Sequence, residues 1–192
     1  MSLILIILSS VLAFVSYIVY IIAIFRGYAK PHRTARFCTA LITILSMVSL
    51  IAQGSTVAVW LSVVFAVGSL VIFILTLWYG MGGWAKTDIV CLVISVVGIL
   101  FWRATSNPMY GLIFFIGADF VGQIPMLIKT YWFPETEVWT FYFLDVLAAL
   151  CSLAAMSFWV AREFAYPLYV VFLDCFIIFL ILRPNREIIE TP

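Results

Sequence analysis

Seven apolar runs, separated by short polar breaks, account for almost the whole of this chain. They cover residues 3–25, 37–52, 57–78, 88–102, 109–128, 138–160 and 164–182. A helix needs roughly 17–25 apolar residues to cross a bilayer. In lipid the backbone must satisfy its own hydrogen bonds, which leaves helices as the structure for runs of this length. The runs at 37–52 and 88–102 are short and are expected to recruit flanking Thr, Arg or Gly residues. The chain is 66% hydrophobic and 10% charged, with a mean hydropathy of +1.23. A soluble domain carries about 25% charged residues. The expected class is therefore all-α and integral to a membrane, with seven transmembrane helices.

Breaks fall at Lys30-Pro31, Gln53-Gly54-Ser55, 80–83, Ser106-Asn107-Pro108, Pro134 and Arg162-Glu163. Each has the chemistry of a short connection, so consecutive helices should be antiparallel neighbours. The first run has no basic segment before it and exceeds the roughly 7–15 residues of a signal-peptide core; it reads as a retained span. Cys38, Cys91, Cys151 and Cys175 lie in apolar runs without CxxC spacing, and read as buried thiols. A formal net charge of +1 argues against a nucleic-acid partner.

Shifting the chain against itself by 103 residues aligns its two ends. Ile21, Tyr28, Pro31, Leu41, Ser49, Leu50 and Ala52 fall on Ile124, Tyr131, Pro134, Leu144, Ser152, Leu153 and Ala155. Arg26 falls on Lys129. The order of features carries the argument: a basic residue, a Tyr and a Pro at one spacing close one apolar run and open the next. Seven spans with this offset imply three helices, a connector, then three more. An odd number of spans per half reverses direction, and the connector restores it, so the halves are expected as parallel repeats. We divide the chain, a single membrane domain over 1–192, into a first bundle at 1–79, a connector helix at 80–108 and a second bundle at 109–192.

Orientation follows from Lys/Arg bias. With the N-terminus outside, Arg26, Lys30, Arg33, Arg36, Lys86, Lys129, Arg183 and Arg186 are cytoplasmic, and only Arg103 and Arg162 are external. Eight against two predicts an N-out, C-in protein.

Late in the fifth run the sequence reads Gly122-Gln123-Ile124-Pro125-Met126-Leu127-Ile128-Lys129-Thr130-Tyr131, and then Trp132-Phe133-Pro134-Glu135-Thr136-Glu137. This stretch resembles a PQ-loop: a Pro-Gln pair late in a helix, an apolar pair, a basic residue, a short polar turn and the next helix. The superfamily includes SWEET and SemiSWEET sugar transporters, cystinosin-type amino-acid exporters and, by fold, KDEL receptors. Met126 stands where the motif has Gln, and Ile22 occupies the Pro position in the first half. The resemblance implies the 3+1+3 layout and a transport function. Independently of it, Pro125 removes a helix hydrogen bond and clashes one turn back, making it a candidate hinge.

Asp119, Asp145 and Asp174 fall inside the last three runs. Each costs about 2.5–3.5 kcal/mol to insert at a helix centre, so they are functional candidates. Their repeat counterparts are Ser16, Ile42 and Val71. Gln123 lies one turn after Asp119 on the same face, and an intervening cavity would set both opposite Ser16, Tyr17 and Tyr20. A low dielectric disfavours the charged form of a carboxylate, which suits proton binding and release. Asp119 leads as the proton-binding candidate, with Asp174 next.

His32, the single histidine, is expected in a basic loop, where a metal site or catalytic dyad is disfavoured. The Arg26–Arg36 cluster sets topology or binds anionic lipid. The glycines at 80–83 lack a phosphate-loop context and read as a flexible link. The expected function is small-solute transport by alternating access, with proton coupling as an added option and no cofactor. The expected partners are a small-molecule substrate and the lipid bilayer, with a homo-oligomer allowed. Alternatives are a receptor or sensor on the same fold, or an intramembrane aspartyl hydrolase using Asp145 and Asp174. The last lacks the Gly-x-Gly-Asp context of that class, since Val171-Phe172-Leu173 precedes Asp174.

Overall fold

The computed structural model describes residues 2–52, 54–83, 85–104, 108–157 and 161–183. These form seven α-helices: α1 (Ser2–Phe25), α2 (Arg33–Ala52), α3 (Ala58–Tyr79), α4 (Lys86–Ala104), α5 (Pro108–Trp132), α6 (Trp139–Ala154) and α7 (Ala161–Leu182). A 3-10 turn at Pro134–Thr136 joins α5 to α6. Four segments, Leu3–Phe25, Arg33–Ile51, Ala58–Tyr79 and Glu163–Leu182, are long and apolar enough to cross a bilayer. The short second run recruits Arg33 and Thr34 into α2. Pro108 opens α5, a position where its missing N–H is harmless.

Two expected boundaries move. The sixth run, read as 138–160, closes as a helix at Ala154; there the Ala155 N–H donates back to Cys151 and Ser152 carbonyls and Met156 N–H to Leu153. The 16 residues of α6 fall short of a full span; residues 158–160 lie outside the described ones. Arg162-Glu163, read as a break, belongs instead to the first turn of α7, because Glu163 turns back to cap α3. Gln53, Ser106, Asn107 and Arg186, named above in breaks and in the charge bias, lie outside the described residues, and so do the side chains of Cys91, Arg103 and Arg162.

Helix α3 packs against both α1 and α2, and α7 against both α5 and α6. Between these sets α1 lies on α6 and α2 on α5, while α4 covers α5 and touches α2. Helix α7 begins and ends 103 residues after α3. Polarity is turned outward in: Phe172, Phe176 and Phe179 of α7 are exposed, while Tyr166, Leu173 and Asp174 are buried. Apolar exposure therefore supplies a lipid-facing surface, and helix association depends on close packing and interhelical hydrogen bonds. Ser9 Oγ donates to the Ala148 carbonyl across the α1–α6 seam at 2.7 Å. Small residues there, Ala13, Ala148 and Ala149, are fully buried and let the backbones approach. Thr43 and Ser69 hydroxyls meet at 2.6 Å between α2 and α3.

The two ends of the bundle differ. At one end the connections 26–32, 80–85 and 133–138 gather: Lys30 N–H donates to the Thr136 carbonyl at 3.0 Å, and His32 pairs with Met81 in a short parallel bridge. Gly82 and Gly83 have φ of 67° and 116°, and this left-handed path folds the glycine segment onto His32 and Arg33. The segment read as a flexible link is thus pinned to the α1–α2 connection. Arg183 joins the same end, donating to the Tyr131 carbonyl with its guanidinium 3.7 Å from that residue's ring centre. At the opposite end the buried Glu163 carboxylate accepts from Ser55 Oγ at 2.9 Å and from the Thr56 and Ala58 N–H groups. It joins the start of α7 to the start of α3, near the positive pole of that helix.

Gly68 is the tightest helix contact. A Cβ placed there meets the ring of Tyr17, whose hydroxyl donates to the Phe65 carbonyl at 3.3 Å. Gly68→Ala should destabilise the protein by about 1–3 kcal/mol, the usual range for overpacking. Thermal unfolding in detergent measures this. In the Tyr17→Ala background the same glycine change should have little further effect, and a full additive loss would show the ring is not the obstacle.

Candidate functional site

A chamber of about 50 Å³ lies where α1, α2, α3, α5, α6 and α7 converge. Asp119, Gln123, Asp145 and Asp174 all line it, together with Tyr17 and Arg36. The sequence-derived group is therefore largely brought together, from four helices. Each carboxylate has a different setting. Asp119 Oδ2 accepts from Tyr169 Oη at 2.8 Å, and its Oδ1 is buried without a partner. Asp145 accepts a short hydrogen bond from Ser16 Oγ. Asp174 has no hydrogen-bond partner among the described residues and lies on the chamber wall.

Gln123 Nε2 donates to Thr39 Oγ1 at 2.8 Å, leaving Oε1 buried and unpaired. Its assignment follows from the network. Thr39 spends its one hydroxyl hydrogen on the Ala35 carbonyl at 2.9 Å, so it can only accept from the amide. Ser16 reaches the site through Asp145. Tyr20 does not line the chamber, and neither does Pro125, which faces a wider cavity of about 500 Å³ beside His32, Asp88 and Trp132. Helix α5 continues through Pro125 to Trp132 without a break.

Arg36 and Tyr142, on the chamber wall, belong to a cluster at the basic end that sequence reading missed. Glu137, in the α5–α6 connection, is 5% exposed. Its carboxylate accepts from Lys129 Nζ at 2.7 Å, Tyr20 Oη at 2.8 Å and Tyr142 Oη at 2.8 Å. Arg36 lies 3.8 Å from it and donates through Nη2 to both tyrosine oxygens, at 2.9 and 3.0 Å. The guanidinium also lies 4.7 Å from the Tyr20 ring centre, a cation–π contact. Arg36 is 4% exposed, so it is not presented to lipid head groups as the 26–36 cluster was expected to be.

Burial by itself would push the Glu137 carboxyl up, but Lys129 and Arg36 beside it outweigh that and hold it below the usual carboxylate range. His32 lies in the connection before α2, as expected, and is buried there. Burial pushes its imidazole down, against the pull of Asp88, whose carboxylate is 3.7 Å away. Among the described residues no group of three His, Cys, Asp or Glu is arranged to hold a metal.

The residues missed, Arg36, Lys129, Glu137 and Tyr142, sit at helix ends, where charge is ordinary. Tyr166 and Tyr169 carried a usable signal: with Val170, Leu173, Asp174 and Ile177 they form one stripe of α7 at helical spacing. No protein-family model, curated protein or solved structure matches this chain.

Glu137→Gln should lower stability at neutral pH by an amount on the order of 3–5 kcal/mol, because two buried cations lose their anion. The wild-type carboxyl is lowered on folding, so its contribution is complete above the ordinary value of 4.5 and fades as pH falls through the folded value. Thermal unfolding of wild type and variant across pH should show a gap that closes only in acid. A gap independent of pH would assign the loss to packing.

Proposed function

We propose that this protein is a small-solute transporter of seven spans working by alternating access, with N-out, C-in orientation and a PQ-loop-like 3+1+3 layout. Residues 1–79 and 109–192 are its two bundles, and 80–108 its connector. The observation that carries this reading is the polar chamber bounded by helices from both sets, with three carboxylates on its wall. Intramembrane acidic groups around a shared space mark substrate and ion pathways.

The repeat gains support from side-chain pairs. Tyr20 of α1 and Tyr142 of α6 share Arg36 and Glu137. Shifted by 103, Tyr20 falls on Gln123 and Thr39 falls on Tyr142; Gln123 and Thr39 hydrogen-bond across the α5–α2 seam. Equivalent positions thus meet in equivalent seams, as two related bundles require.

The Glu137 cluster ties one end of the bundle, and Glu163 ties the other by joining α7 to the α2–α3 connection. In the proposed cycle these ties open in turn. We assign the coupled proton to Asp174, because Asp119 and Asp145 are each held by a hydroxyl donor. The aspartyl-hydrolase alternative would use Asp145 and Asp174, which both line the chamber, and lacks the Gly-x-Gly-Asp context before Asp174.

The test is uptake by reconstituted protein in proteoliposomes over a panel of metabolites, with and without a pH gradient. Asp174→Asn should abolish pH-driven accumulation and spare exchange, which needs no net proton movement. Loss of both would move Asp174 from proton binding to folding or substrate binding. For orientation, Tyr28, 66% exposed at the basic end, is the site to label. A Tyr28→Cys change in a chain freed of native cysteines should react from the cytoplasmic side only, and reaction from outside would invert the topology.

A further inference from the structure

The unpaired atoms of the chamber specify what would complete it. Among its buried side-chain atoms, Asp119 Oδ1 and Gln123 Oε1 lack donors, and Arg36 Nε lacks an acceptor. Asp119 and Gln123 are 5% and 6% exposed, so water outside the protein does not serve them. They are one helical turn apart on α5, and both side chains line the chamber. Protonation would let the Asp119 carboxyl donate as well as accept, but the Gln123 carbonyl oxygen can only accept. A buried acceptor left unpaired is costly, so two adjacent ones form a site for a ligand rich in N–H donors.

Acid chemistry points the same way. Three aspartates line the chamber, Arg36 is already engaged by Glu137 and two tyrosine oxygens, and a cation placed beside a buried carboxyl favours its charged form. The aromatic side chains of Tyr17 and Phe65 also line the wall. A volume of about 50 Å³ admits a head group rather than a whole metabolite.

We infer that the chamber binds the protonated primary amine of a small solute, with Asp119 Oδ1 and Gln123 Oε1 accepting its N–H groups. Arg36 Nε leaves room for a carboxylate on the same solute but does not require one. This assignment rests on the transport reading for its physiological meaning, though not for the binding itself.

The test separates the two. Full-length protein in nanodiscs is titrated calorimetrically with ethanolamine, glycine, tetramethylammonium and glycerol. Ethanolamine and glycine should bind; tetramethylammonium, a cation without N–H, and glycerol, neutral, should bind at least tenfold more weakly. Gln123→Met should weaken ethanolamine binding by about ten- to a hundredfold, the range for a hydrogen bond to a charged group. Asp119→Asn, which keeps the shape, should weaken it comparably, and a retained unfolding temperature excludes misfolding. Should either variant fail to fold, Tyr169→Phe serves, since releasing Asp119 Oδ2 should alter amine affinity without enlarging the chamber. Equal binding of glycerol, unchanged affinity in a folded Gln123→Met protein, or no binding at all overturns the inference. If glycerol or another neutral solute is transported, the amine site falls and transport stands. If ethanolamine binds but no solute crosses proteoliposomes, the site stands and transport falls.

Discussion

One buried carboxylate organises the closed end of this bundle. Glu137 receives one hydrogen-bonded or charged partner from each of four helices: Tyr20 of α1, Arg36 of α2, Lys129 of α5 and Tyr142 of α6. Both long seams, α1 on α6 and α2 on α5, run into this cluster. Parting either seam there strands a charge in a space that water does not reach, and charge-assisted hydrogen bonds are the strong ones. Elsewhere along these seams, Ser9 on Ala148 is a neutral hydroxyl bond and the small alanines pack closely, contacts that are individually modest. The helix arrangement near the basic end therefore follows from how Glu137 is satisfied.

The surface obeys a different rule. Exposed Phe172, Phe176 and Phe179 on α7, with Leu3, Ile4 and Phe14 on α1, would be a liability in water and are suited to lipid. Their opposite faces carry Ser9, Ser16 and Asp174, buried among neighbouring helices. This inversion frees the interior to hold polar groups, and the chamber exists because those groups are not all paired with one another.

Much of this was legible in the chain, for reasons that can be located. Apolar runs gave α1, α3 and α7 to within three residues, since a bilayer-length run admits few other structures. The end of α6 was not legible: Ala155 and Met156, which turn the chain, are as apolar as the helix before them. The aspartates stood out because an acidic residue within an apolar run is costly, and all three line the chamber. Arg36 and Glu137 gave no such signal. Each lies where a charged residue is ordinarily solvated, and only the packing of distant loops, Lys30 against Thr136 and His32 against Met81, buries them. Local sequence records composition; it does not record which loop covers which.

On the proposed reading, the most telling difference is between the two seams. The positions held by Tyr20 and Tyr142 in one are held by Gln123 and Thr39 in the other. In the first seam both hydroxyls are consumed by Arg36 and Glu137, and no acceptor is left over. In the second, Thr39 is consumed by its own helix and by the amide, and one carbonyl oxygen remains unsatisfied. Equal geometry with unequal chemistry divides the work: the tyrosine seam is held shut by charge, and the amide seam presents an open valence to the chamber. A solute that satisfied that valence would stabilise the α2–α5 seam without touching the Glu137 cluster. Binding and closure would then act on different seams of one bundle, and the solute would bias the closed state only through its differential contacts across α5.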